Sequence, residues 1–148
     1  MPLTTTAAHS LALLIFNNTT YANVGDATGL VGSTGAGSLY GALFTADPTV
    51  SGVYTNEATY TGYNASTHPG LARSGAGWTV GTGGAVSNAA ALTFGACTAS
   101  SSTITYCAII LGAGATPGML SYGTTNALAV SAGITPSFAI SALTWTLT

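Results

Sequence analysis

The chain has 148 residues, the length of one ordinary domain, and a formal net charge of −2. About a quarter of an average protein is charged. Here only Asp26, Asp47, Glu57 and Arg73 are, which excludes phosphate-neutralising nucleic-acid binding and attachment to an anionic membrane.

The N-terminal segment is the one helical candidate. Thr4, Thr5 or Thr6 can cap it, and Ala7, Leu11, Leu14 and Ile15 recur at helical spacing up to Asn17 and Asn18. The spacing predicts a short helix over about residues 6–17. No basic residue precedes the apolar run Leu11–Phe16, so it is not read as a signal peptide, and it falls far short of the about 18 apolar residues that span a bilayer. Residues 22–38 are small and Gly-rich and read as a surface loop with one weak strand. Asp26 lies in that loop.

Residues 38–45 (SLYGALFT) read as a buried strand ended by the turn Ala46-Asp47-Pro48. Residues 49–77 read mostly as loop, with a short strand near 58–63 and a turn at His68-Pro69-Gly70. Further on, Trp78–Val80 is expected as a strand and residues 81–84 as a turn. Residues 91–96 alternate with Leu92 and Phe94 on one face, and residues 103–111 form a β-branched, apolar central strand. Residues 119–122 and 127–130 are expected as two strands separated by 123–126. At the C-terminus, Leu143, Trp145 and Leu147 alternate with threonines. Phe138 and Ile140 sit on the opposite parity, so a turn near Ser141-Ala142 must reset the register. Together these elements predict an all-β chain. The expected fold is an antiparallel β-sandwich of short strands with one short N-terminal helix, a single domain over 1–148 whose sandwich occupies about 38–148.

Chemistry has few groups to draw on. With 47% apolar residues the chain is no candidate for disorder, and its polarity comes from 26 Thr, 14 Ser and 20 Gly. Asp47 reads as a turn residue, Glu57 as a strand-edge or solvent residue, and His9 and His68 as structural or exposed. No paired-carboxylate, nucleophile-elbow or metal-ligand pattern is present, so no catalytic residue, metal site or cofactor is expected. The glycine clusters at 81–84 and 112–114 are loop glycines, because the chain contains no lysine to complete a phosphate loop. Trp78, Tyr54, Tyr60 and Tyr63 are candidates for interface packing or ligand contact. Cys97 and Cys107 flank a Ser/Thr-rich turn between two expected strands; they pair as a disulfide or stand as free thiols, with free thiols the favoured reading.

An ordered set of segments resembles a group of small bacteriophage virion proteins, described as tail-fibre, decoration or structural proteins. Leu39-Tyr40-Gly41-Ala42-Leu43-Phe44-Thr45-Ala46-Asp47-Pro48 is similar to their LYVALFTADP stretch. Glu57 through Gly62-Tyr63 resembles a Glu-containing segment ending in Gly-Tyr. Residues 85–94 (AVSNAAALTF) resemble AISNTAAVTF, and residues 103–109 (TITYCAI) sit where the group carries TVTHFGI. Thr135-Pro136-Ser137-Phe138, followed by 142–147 (ALTWTL), resembles TPSFAAGALTITL. The spacing holds over residues 39–148. The chain departs from the group in having fewer acidic residues, in Cys97 and Cys107, and in an insertion at 64–75.

The resemblance implies no catalytic residues. It implies a non-enzymatic virion protein, made in the bacterial host cytoplasm and incorporated into the phage particle. A near-neutral surface gives little repulsion between copies, which favours assembly with copies of itself and with a major capsid protein or tail proteins. Neither nucleic acid nor membrane is an expected partner. The expected role is capsid decoration or cement; the alternatives are a tail or tail-fibre component and, more distantly, a secreted carbohydrate-binding module.

Overall fold

The structure, a computed structural model, describes residues 2–25, 29–48, 54–115 and 117–148; Asp26 and residues 49–53 of the expected loops lie outside them. Along the chain run α1 (Thr5–Asn17), β1 (Ser38–Phe44), β2 (Gly70–Ala72), β3 (Trp78–Val80), a 3-10 turn (Thr82–Gly84) and β4 (Ala85–Asn88). They are followed by β5 (Leu92–Thr93), β6 (Ser102–Ile110), β7 (Met119–Val130), β8 (Ser137–Phe138) and β9 (Thr144–Thr146). The antiparallel all-β chain with one short N-terminal helix is therefore as expected. These elements form two units, each assembled from separated stretches: Met1–Ser38, Leu71–Ala91 and Phe138–Thr148 in the first, Leu39–Gly70 and Leu92–Ser137 in the second.

In the first unit, α1 starts where Thr4 holds an extended backbone and its hydroxyl accepts from the Ala7 amide at 3.2 Å. It ends where Asn18 turns left-handed (φ 55°) and the Thr19 amide closes onto the Leu13 carbonyl at 3.1 Å. The buried positions are Ala8, Ala12 and Phe16, one residue round from the Leu11–Leu14–Ile15 stripe expected from the sequence. Close approach explains the shift. α1 packs on the 3-10 turn, where a Cβ on Gly84 (φ 80°) would lie 2.9 Å from the Ala8 methyl, so only a small side chain fits at position 8.

β3, β4 and β9 form an antiparallel sheet in that order, with Val86 opposite both Val80 and Trp145. Phe16, Trp78 and Trp145 converge with ring centroids 5.2–6.1 Å apart, a tilted arrangement that aromatic quadrupoles favour. Asn88 is fully buried and fully paired. Its Nδ2 donates to the Ala90 and Ala139 carbonyls at 2.9 and 2.8 Å, and its Oδ1 accepts from the Leu143 amide at 2.9 Å. Ser141 takes φ 63°, with the Ala142 amide closing onto the Ala139 carbonyl. This is the turn that the parity change between Ile140 and Leu143 required.

In the second unit β6 lies between β1 and β7, antiparallel to both. Its antiparallel register sets Leu43 opposite Cys107 and Tyr40 opposite Ile110. On one face Ala42, Phe44, Ala108 and Ile110 form a buried cluster overlaid by Tyr40, Tyr54, Tyr106, Met119 and Tyr122. A Cβ on Gly41 would lie 2.4 Å from Leu92, so a bare α-carbon there lets Leu92 and Phe94 close in.

Three sequence expectations change in this part of the chain. β7 is one twelve-residue strand rather than two strands around a turn at 123–126. Gly123 pairs with Cys107, and register shifts absorb extra β7 residues. Pairing along the long central strand overrides local turn preference. The strand expected over 91–96 shortens to Leu92–Thr93, and the one near 58–63 is replaced by isolated bridges at Glu57, Thr61 and Tyr63. Positive φ at Asn56 (70°) and Gly62 (110°) interrupts that stretch.

Candidate functional site

Glu57, Tyr63 and His68 come together in the second unit. Amides of Thr45 and Ala58 bond the Asn56 and Leu43 carbonyls, which pins the segment bearing Glu57 to β1. An Asn64 turn, with the Ser66 amide on Asn64 Oδ1, brings the chain back so that the His68 amide reaches the Ala113 carbonyl. Glu57 Oε1 then accepts from His68 Nε2 at 2.6 Å and from Tyr63 Oη at 2.7 Å. The Tyr63 oxygen in turn accepts from the Leu43 amide at 3.1 Å, and His68 Nδ1 meets the Ala113 carbonyl at 2.9 Å.

Both His68 ring nitrogens face acceptors, which makes the ring an imidazolium paired with the Glu57 carboxylate. Burial alone would lower the His68 pKa; the bonds to Glu57 and Ala113 outweigh it and raise it. Burial, followed by the neighbouring carboxylate, also pushes Tyr63 well above the usual phenol range.

The three side chains carry the chemical inventory of an acid–base site without its access. The His68 side chain is 0% exposed and that of Glu57 9%, and Glu57 Oε1 already receives two donors. The arrangement holds the 54–70 segment against β1. Glu57, expected at a strand edge or in solvent, is instead the acceptor of a buried ion pair. A Glu and a His eleven positions apart around Tyr63, in a chain with four charges, were its one sequence signal.

Tyr54, Tyr60 and Tyr63 lie in the second unit and Trp78 in the first. The Tyr54 hydroxyl donates to the Pro117 carbonyl at 2.6 Å and that of Tyr60 to the Gly95 carbonyl at 3.0 Å. Both pKa values are pushed up to about 12, chiefly by burial. Trp78 and Tyr60 are 0% and 1% exposed. Both are core residues: Phe16 and Trp145 cover the Trp78 ring, and Tyr63 packs on Tyr60. Cys97 and Cys107 are free, buried thiols, and burial pushes the Cys107 thiol up to about 12, so it stays protonated and unreactive.

Arg73, the only arginine in a chain without lysine, is spent inside the first unit. Its Nε donates to the Ile15 carbonyl at 2.6 Å and its Nη2 to the Leu14 carbonyl at 2.7 Å, at the negative end of α1. Its Nη1 reaches the Ala36 carbonyl at 3.3 Å. His9 Nδ1 bonds the Gly81 carbonyl at 2.7 Å. Among the described residues, no three or more His, Cys, Asp or Glu gather to hold a metal, and no helix is long and apolar enough to cross a membrane. Among the described charged residues Asp47 is exposed, whereas Glu57 and Arg73 are half-buried. Val31, Leu111 and Ile140 stand 56–65% exposed.

Such a surface, made of hydroxyls, backbone and scattered aliphatic groups, marks a structural subunit of strands and loops. The chain belongs to the family of the podophage GP4 fiber I protein gp80, whose family model matches residues 3–146. It is a bacteriophage virion structural protein of the fibre type, in agreement with the resemblance carried by residues 39–148. No curated protein sequence matches it.

Proposed function

We propose that the protein is a non-enzymatic component of the phage tail fibre, held there by charge-poor contacts with neighbouring virion proteins. The observation that carries this reading is the family match over residues 3–146. The family's fibre designation favours the tail-fibre alternative over the capsid decoration role expected from the sequence. The internal use of Glu57, His68 and Arg73 supports the same reading, since it leaves shape, hydroxyls and apolar patches to make the contacts.

Gold labelling of an epitope-tagged chain on intact particles tests the assignment. Label at the tail is expected, and label distributed over the head overturns it. Attachment is also expected to persist between about 50 and 500 mM salt, because few exposed ion pairs are available for screening. Release over that range would contradict charge-poor contacts.

A further inference from the structure

Four of the chain's seven tyrosines, Tyr40, Tyr54, Tyr106 and Tyr122, meet on one face of the β1-β6-β7 sheet. The antiparallel register builds that face in three rows across the strands. Tyr40 lies beside Ile110 and Met119, Ala42 beside Ala108 and Tyr122, and Phe44 beside Tyr106 and Thr124. Ala42, Phe44, Ala108 and Ile110 are buried, and the tyrosines pack over them while staying half-buried themselves. Each ring is thus supported from beneath and turns its other side to solvent.

The phenol hydroxyls divide these residues. That of Tyr54 is used within the chain, donating to the Pro117 carbonyl at 2.6 Å, and those of the core residues Tyr60 and Tyr63 are bonded to Gly95 and Glu57. The hydroxyls of Tyr40, Tyr106 and Tyr122 have no hydrogen-bond partner among the described residues. The rings of Tyr106 and Tyr122 stand 6.4 Å apart and are tilted by 47°. Beside Tyr122 runs a groove of about 280 Å³ along Met119, Leu120 and Ser121. It is smaller than the about 300–1,000 Å³ that encloses a drug-sized ligand, so it takes one end of a ligand whose remainder lies on the open rings.

We propose that the face formed by Tyr40, Tyr106 and Tyr122 binds a neutral saccharide. A pyranose ring has apolar C–H faces and a rim of hydroxyls, and a supported tyrosine offers an aromatic face and a hydroxyl to match them. A purely apolar ligand would bury the three phenol hydroxyls without partners, which is costly. An anionic polymer would find no cation, because no residue of the three rows is charged and Arg73 is spent in the first unit. The rows extend about 13 Å along the strands, enough for more than one ring of a sugar chain. The site lies wholly within the second unit and does not depend on where in the particle the chain sits.

Titration of the full chain with methyl glycosides of glucose, galactose, mannose, rhamnose and N-acetylglucosamine, followed by two-dimensional NMR, tests this. Concentrations up to about 100 mM fill sites with a Kd of about 1–100 mM. The ring resonances of Tyr40, Tyr106 and Tyr122 are expected to shift with at least one glycoside, while those of Tyr60 and Tyr63 stay in place. Tyr122→Ala is expected to weaken that binding about tenfold. Tyr122→Phe keeps the ring and the fold, since the hydroxyl it lacks bonds nothing in the chain, and is expected to weaken binding several-fold. Methyl glucuronide, the charged analogue, is expected to gain nothing over the glucoside. The proposal is overturned if no glycoside shifts these rings at about 100 mM, or if both Tyr122 variants bind as wild type does. A glucuronide that binds more tightly than every neutral glycoside overturns it as well.

Discussion

Replacing Glu57 by Ala removes the carboxylate that meets both His68 Nε2 and Tyr63 Oη. The His68 side chain is 0% exposed and that of Glu57 9%, so little solvent reaches the place of the lost partner. The ring keeps its bond to the Ala113 carbonyl and gives up the proton on Nε2. Tyr63 is left with a buried hydroxyl that has no acceptor. Removing one member of a buried ion pair costs about 3–5 kcal/mol, and the orphaned hydroxyl by itself about 1–3 kcal/mol. These overlap, so about 4 kcal/mol is expected. For a chain of this size 1 kcal/mol moves Tm by about 2–4 °C, which gives a fall of about 8–16 °C by calorimetry.

Glu57→Gln should lose less, because its amide oxygen can still accept from both Tyr63 Oη and His68 Nε2 and only the carboxylate's charge is gone. The pH profile separates this network from generic packing. The folded pKa of His68 is raised above the unfolded value of about 6.5. Its stabilisation is therefore full below about pH 6.5 and is lost as pH rises through the folded value. Glu57→Ala should lack that loss. A Tm change under about 3 °C, or an unchanged pH dependence in Glu57→Ala, would refute the reasoning.

Arg73→Met deletes the guanidinium from the C-terminal carbonyls of α1 and should cost about 2–3 kcal/mol in urea denaturation. Arg73→Lys recovers only part of this, since an ammonium cannot fork between Leu14 and Ile15; full recovery would show that charge alone matters. Asn88→Asp keeps the acceptor for Leu143 but turns an oxygen toward the Ala90 and Ala139 carbonyls. It should cost at least about 3 kcal/mol at neutral pH and less in acid, where a protonated Asp can donate. Equal stability at both pH values would argue against the hydrogen-bond assignment.

Local signals in the sequence were read correctly where neighbouring residues decide the structure. Thr4 capping α1, the 143–147 alternation and the register reset at Ser141 all depend on residues a few positions apart. Long-range partners decided the rest. Trp78 reads as an open aromatic until Phe16 and Trp145 arrive from distant parts of the chain. The 123–126 stretch of β7 has turn-forming composition and becomes strand only because β6 lies beside it. The Glu57–His68 pair depends on a loop returning to β1, which no periodicity announces. The buried stripe of α1 shifted because Gly84 leaves room for Ala8 but not for leucine.

The dispersed construction of the first unit has a consequence during synthesis. Its aromatic core needs Phe16, Trp78 and Trp145 together, and Trp145 is translated 129 positions after Phe16. A thirteen-residue helix is marginal in isolation, so α1 must wait until β9 has been made, several seconds later at about 5–20 residues per second. A polypeptide interrupted before β9 cannot complete that core.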